Sequence, residues 1–250
     1  PWGANQRKAW REIDTRPWMA GCFVWTGFDY LGEPTPYDNY WPSRSSYFGI
    51  FDLAGIPKDR YWLYRSRWNV KERTCHLLPH WTWPGREGKT TPVYCYTDCP
   101  EAELFVNGRS QGRRRKDPSS RLDRYRLRWN EVVYEPGELK VVAYGADGRA
   151  VAERTVRTAG RAAKIELEKR RFGKLLFVTA TVVDEDGNHV PGYDGVLKIK
   201  AGGSLRFKAV CNGDATSVES FTAPRMKAFH GKLVAVFEGD GDEVSVAFED

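Results

Sequence analysis

The sequence predicts a mostly β chain in which two β-sandwiches follow the last strand and helix of an α/β barrel. From about residue 74 onward, short alternating apolar segments recur between Asn-Gly, Pro-Gly and Asp-Gly turn signals, as in sandwich strands. Before that point the order is helix, continuous apolar strand, long loop, helix, which matches about one and a half units of an α/β barrel. The same stretch holds Trp2, Trp10, Trp18, Trp25, Trp41, Trp62 and Trp68, seven of the ten tryptophans, more aromatic mass than a small core needs.

Residues 5 to 14 read as a helix, stopped by Thr15-Arg16-Pro17 because the residue before a proline disfavours the α region. Met19 to Trp25 is continuously apolar, the pattern of a strand buried on both faces. A long loop rich in Gly, Pro and Tyr follows from Thr26 to about Ser46. Pro57 then opens a second helix through Arg60 and Trp68, with proline at the first turn. A closed barrel takes about 250 residues, and a lone strand cannot pair its own backbone groups. Residues 1–73 are therefore expected to be the end of a larger barrel. Strands are predicted at Val93–Tyr96, Ala102–Val106, Arg124–Trp129, Leu139–Tyr144 and Val151–Thr158, giving a first sandwich over 74–160. Further strands from Ile165, over Leu176–Val183, Val196–Lys200, Leu205–Val210, Leu233–Phe237 and Glu243–Phe248, give a second over 161–250, with Thr158–Ala162 as the linker.

Composition narrows the function classes. The chain has 250 residues, 41% of them hydrophobic, and no apolar run near the roughly 20 residues of a membrane span. No membrane partner is expected. Pro1 stands where an initiator Met would, no secretory signal follows, and the sequence reads as part of a longer or processed polypeptide. Five cysteines do not make a disulfide framework, and no Cys-x-x-Cys pair or His/Cys cluster points to a metal. The net charge of +6 is concentrated in Arg109, Arg113, Arg114, Arg115, Lys116, Arg121, Arg124, Arg126 and Arg128. Because Arg124, Arg126 and Arg128 alternate with Tyr125, Leu127 and Trp129, they read as the solvated face of a strand, and nucleic acid is not expected as a partner.

Gly21 to Tyr37, with Phe23-Val24-Trp25-Thr26-Gly27-Phe28-Asp29-Tyr30 at its centre, resembles the eighth barrel strand and following loop of glycoside hydrolase family 2, in its bacterial β-galactosidase-like members. Ser45 to Asp52 reinforces the resemblance, and Pro57-Lys58-Asp59 with Tyr61 to Trp68 resembles the last barrel helix. His76 to Trp81 with Trp83, and Glu103 to Gly108, resemble the first immunoglobulin-like accessory domain of that family. Asn212 to Ser217 and Phe229 to Lys232 resemble its terminal accessory domain. The resemblance implies the end of a TIM barrel followed by two immunoglobulin-like β-sandwiches. It also implies hydrolysis of a β-linked glycoside or oligosaccharide with retention, by two glutamates about 5 Å apart. In the family both glutamates lie on earlier barrel strands, so this chain holds no catalytic residue. It is expected to be inactive alone, to need no cofactor, and to have the N-terminal part of the enzyme as its partner. A bacterial periplasm or cell envelope is the implied setting.

The substrate-binding residues that follow from this placement are Trp25, Asp29, Tyr30 and Glu33. Trp25 at the strand end would cover the apolar face of a sugar, whose C–H patches suit an aromatic ring. Asp29 and Glu33 are expected to bind sugar hydroxyls or brace the loop, since nothing in the spacing makes them an acid/base pair. His76 and His80 read as structural, and Ser45, Ser46 and Asp52 form no Ser-His-Asp arrangement. The rival reading is a freestanding binding module for polysaccharide or protein; exposed, coplanar Trp81, Trp83 and Trp129 would favour it, and their burial would favour packing.

Overall fold

The computed structural model describes residues 6–249, so Trp2 and the first residue of the expected helix lie outside the described residues. Among the described residues the chain is mostly β, with fourteen strands in four antiparallel sheets and two helices. Its contacts divide it into two units. One comprises Pro1–Trp25 and Asp59–Thr158, the other Thr26–Lys58 and Ala159–Asp250.

In the first unit, helix α1 (Gln6–Thr15) buries Trp10 against Tyr64 and Trp68 of helix α2 (Asp59–Trp68), with ring centroids 5.0 and 5.9 Å apart. Tyr125 closes the same cluster edge-on to Trp10 at 5.4 Å. Strands β1 (Cys75–Leu78), β2 (Val93–Thr97) and β5 (Leu127–Trp129) make one sheet in the order β1-β2-β5. Strands β3 (Glu101–Val106), β4 (Arg109–Arg115), β6 (Glu138–Tyr144) and β7 (Ala150–Arg157) make the other, in the order β4-β3-β6-β7. Strict alternation decides the inner face: Ala102, Leu104 and Val106 on β3 and Leu139, Val141 and Ala143 on β6 are buried with Leu77, Val93 and Leu127 from the other sheet. Asn107 and Gly108 both have positive φ, 48° and 76°, the type I′ geometry that a two-residue hairpin between β3 and β4 requires.

The second unit repeats the architecture. Strands β8 (Lys164–Phe172), β9 (Leu175–Val183), β11 (Arg206–Cys211) and β13 (Lys232–Glu238) form a sheet in the order β11-β13-β9-β8. Strands β10 (Val196–Ala201), β12 (Arg225–Lys227) and β14 (Val244–Phe248) form the second, β12-β10-β14. Val178, Ala180, Leu197, Met226, Leu233 and Phe237 from both sheets share one core.

Three expectations change. Met19 to Trp25 forms no strand. Its backbone enters no ladder, and Met19, Phe23 and Trp25 are exposed, because nothing in the described chain offers the paired edges that a doubly buried strand requires. The strand expected from Arg124 pairs only from Leu127, against Cys95. Arg126 is buried rather than solvated, its guanidinium 4.6 Å from the Tyr94 ring centroid. The basic run Arg109–Arg115, for which no strand was predicted, is an edge strand. Cross-strand ion pairs from Arg113 and Arg115 to Glu101 offset its charge, and Gly112 at φ 90° bulges it so that its carbonyl accepts the Trp129 indole N–H at 2.8 Å.

Candidate active-site loop

The loop of residues 26–58 is held from within. The Phe51 amide donates to the Gly27 carbonyl at 2.8 Å and the Asp29 amide donates to the Phe51 carbonyl at 3.0 Å, with the Phe28 and Phe51 rings stacked at 5.0 Å. The two stretches approach so closely at Gly49 that a Cβ there would lie 2.3 Å from the Asp29 nitrogen and from the Phe51 oxygen. Only glycine fits.

That approach positions Asp29. Its side chain is 3% exposed, ion-paired with Lys58, and accepts the Gly49 amide at 2.7 Å. A carboxylate so enclosed is stabilised by a charged and a neutral donor together. Tyr30 and Glu33 are brought together: the Tyr30 hydroxyl donates to the Glu33 carboxylate. The Tyr30 backbone is tied down by Ser46, whose amide donates to the Tyr30 carbonyl at 2.8 Å while its hydroxyl accepts the Tyr30 amide at 3.1 Å. Ser45 and Ser46 are buried and bonded to backbone, which leaves no nucleophile there. Among the described residues no hydrogen bond or ion pair joins Asp29 to Glu33, so the two do not form an acid/base couple. Trp25 belongs to the other unit and is 73% exposed.

Sequence reasoning gave Lys58 and Gly49 no role in the loop and named Asp52 only in excluding a Ser-His-Asp arrangement. Nothing local marks Lys58 as the partner of a carboxylate 29 positions earlier. Asp52 accepts the Ala54 and Ile56 amides at 2.9 and 2.8 Å in an Asx-type turn. Gly213, at φ 83°, brings its backbone directly against that carboxylate. Burial pushes the Asp52 carboxyl up to about 6, the nearby Asp29 charge adding to the effect, while the two amides and Lys58 oppose it. Arg44 fastens the loop within the same unit, its amide donating to the Ala215 carbonyl at 3.1 Å and its guanidinium lying 5.5 Å from the Phe221 ring centroid.

The histidines are structural. His76 stacks on Trp62 at 4.9 Å and bonds to Asp59 at 2.8 Å, and His80 stacks on Trp83 at 4.1 Å. Trp81 and Trp129 are 1% and 2% exposed, and Trp83 packs against the same core. The five cysteines are free thiols.

Residues 161–249 match the family model described as glycoside hydrolase family 2 C-terminal domain 5, and residues 88–152 match a domain of unknown function. A β-galactosidase of Bacteroides ovatus is 45% identical over 249 residues, a match that takes in 96% of this chain and 28% of the relative. The chain therefore spans less than a third of that relative's length. A solved β-glycosidase from Bacteroides vulgatus superposes with a TM-score of 0.86 at 33% identity, over 97% of this chain and 31% of its own. A solved glycosyl hydrolase family 2 member from Bacteroides cellulosilyticus gives 0.83 at 26% identity, over 97% and 36%.

Proposed function

We propose, from the premise that the chain is a C-terminal part of a family 2 glycoside hydrolase, that it supplies a retaining β-glycosidase with one wall of the sugar cleft and two accessory domains, and hydrolyses nothing by itself. Residues 1–73 form the end of the catalytic barrel in this reading, and 74–160 and 161–250 the immunoglobulin-like accessory domains. The observation that carries it is the exposure of Trp18, Met19, Phe23 and Trp25 along one apolar run. An apolar segment of this kind belongs between neighbouring barrel strands, which bury both its faces and pair both its edges. The remaining barrel strands of the same enzyme are the partner that fits.

Each candidate residue then has a role that its surroundings support. Trp25 is the sugar platform, its largely exposed ring suited to the C–H face of a pyranose. Tyr30 and Glu33 act as one hydrogen-bonding group on sugar hydroxyls, the phenol fixing the carboxylate. Asp29 holds the loop through Lys58 and Gly49 and acts on substrate only by shaping that loop. Retaining hydrolysis needs two carboxyl groups about 5 Å apart, one a nucleophile and one an acid/base. An ion-paired, enclosed Asp29 suits neither role. The burial of Trp81 and Trp129 favours packing roles for them over the platform of a freestanding binding module.

The test compares the 250-residue chain with a longer polypeptide carrying the upstream barrel, on chromogenic β-galactosides, β-glucuronides and β-mannosides. The shorter chain is expected to show no turnover, and the longer one to hydrolyse with retention. Turnover that copurifies with the 250-residue chain and disappears on Asp29→Asn or Glu33→Gln would overturn the reading.

A further inference from the structure

The first unit contains a cleft of about 740 Å³ that none of the roles above uses, lined by the last turn of α2, the segment after it, and the 116–125 stretch of the sandwich. Its volume falls within the roughly 300–1,000 Å³ of small-molecule sites. Its charges are not evenly matched. Every acid facing it is already engaged. Asp14 takes Arg67 at 2.5 Å on one oxygen and the Tyr125 hydroxyl at 2.6 Å on the other. Asp98 takes Arg73 at 2.7 Å and the Thr74 amide at 2.6 Å, and Glu72 takes Arg65 at 2.6 Å.

The cations that remain have donors to offer. The Arg124 Nε is buried with no hydrogen-bond partner among the described residues, and a buried unmatched donor calls for a ligand. The Lys116 ammonium donates to the Thr97 carbonyl at 2.6 Å, and burial lowers its pKa, which an incoming anion would reverse. Lys71 stands at the exposed rim beside Asn69, whose side-chain oxygen accepts the Lys71 amide at 2.9 Å. Arg124, Lys116 and Lys71 line this polar recess while its carboxylates are engaged elsewhere, a lining that suits a carboxylate or sulfate group.

We propose that this cleft binds the oxyanion group of an acidic saccharide, with Arg124 and Lys116 on the anion and Lys71 at the entrance. The oxyanion rests on the geometry alone; the saccharide rests on the glycosidase reading above, which the hydrolysis assay tests separately. Calorimetric titration of the full 250-residue chain at low ionic strength, with D-glucuronate, sodium sulfate and D-glucose, decides it. Glucuronate is expected to saturate a single site and glucose to give no saturable heat. Arg124→Gln and the exposed Lys71→Gln should each weaken glucuronate about tenfold, the loss of one charge-assisted hydrogen bond. Arg124 is partly buried, so the Lys71 variant keeps the test valid if the first one misfolds. Saturation by sulfate as tight as by glucuronate would overturn the saccharide assignment. No saturation by either anion, glucose binding as well as glucuronate, or wild-type affinity in Lys71→Gln and a folded Arg124→Gln, would overturn the site.

Discussion

Asp52 links the stability of the second unit to pH in a direction opposite to most acidic residues. Its carboxyl titrates at about 6 rather than at the ordinary 3.8, chiefly because burial disfavours the charged form. Between those values the folded chain holds a proton that the unfolded chain has released. The stabilisation this proton provides is fully present below pH 3.8 and is lost as pH rises through about 6. A displacement of that size corresponds to about 3 kcal/mol at most, one pH step being worth about 1.4. Asp52→Asn keeps an oxygen for the Ala54 and Ile56 amides and cannot ionise. At pH 7 the variant should be more stable than the parent, by up to about that amount. At pH 4.5 the advantage should shrink, because the parent is then mostly protonated. Urea denaturation of both chains at half-unit steps from pH 4.5 to 7.5 measures the difference, and taking the difference cancels every other titrating group. A constant offset across the range, or a variant less stable at pH 7 than at 4.5 relative to the parent, would refute the reasoning.

Other perturbations follow from the same geometry. Gly49→Ala should open the loop at a cost on the order of 3 kcal/mol, since the new Cβ meets backbone atoms on two sides; limited proteolysis within residues 26–58, resisted by the parent, is the readout. Trp81→Ala should cost about 3–5 kcal/mol by thermal melting, because it empties a core position and leaves the Glu135 carbonyl without the indole donor now 3.0 Å away. Trp25→Ala in the complete enzyme should lower kcat/KM at least about tenfold with little loss of melting temperature, aromatic contact being worth about 1 kcal/mol or more beyond burial; a large fall in melting temperature with near-normal activity would remove Trp25 from the site.

The parts of this chain legible from sequence are those whose causes are local. Alternation over Leu139–Tyr144 and Leu176–Val183 maps directly onto one buried face, and Asn107-Gly108 names its hairpin without outside help. The short strands Cys75–Leu78 and Arg225–Lys227 escaped because their strand character comes from partners, β2 and β10, rather than from their own composition. Arg109–Arg115 escaped for the same reason: a basic run becomes a strand because Glu101 opposes Arg115 and Glu103 opposes Arg113 across the ladder, Glu101 ion-pairing with both arginines. In the loop, the aromatic and acidic residues were visible as candidates. The pairing that decides their roles, Asp29 with Lys58 against Tyr30 with Glu33, depends on a chain reversal that no local pattern announces.

Residues Met19 to Trp25 show the reverse relation, a strong local signal without its structure. A continuous apolar run predicts a strand through what it would bury, yet burial is a property of neighbours. Hydrogen bonds formed on both edges and side chains covered on both faces stabilise such a strand; without them the segment has no ladder to join. The run accordingly joins no ladder, with Phe23 and Trp25 outward. Segments that carry their own partners behave otherwise. The sheet β11-β13-β9-β8 closes from residues within one unit, and its inner face is buried. The contrast between these segments is therefore one of partner supply rather than of propensity. Under the proposed function, the partners that this apolar run lacks are the remaining strands of a barrel, and the exposed Trp25 ring is kept for a sugar.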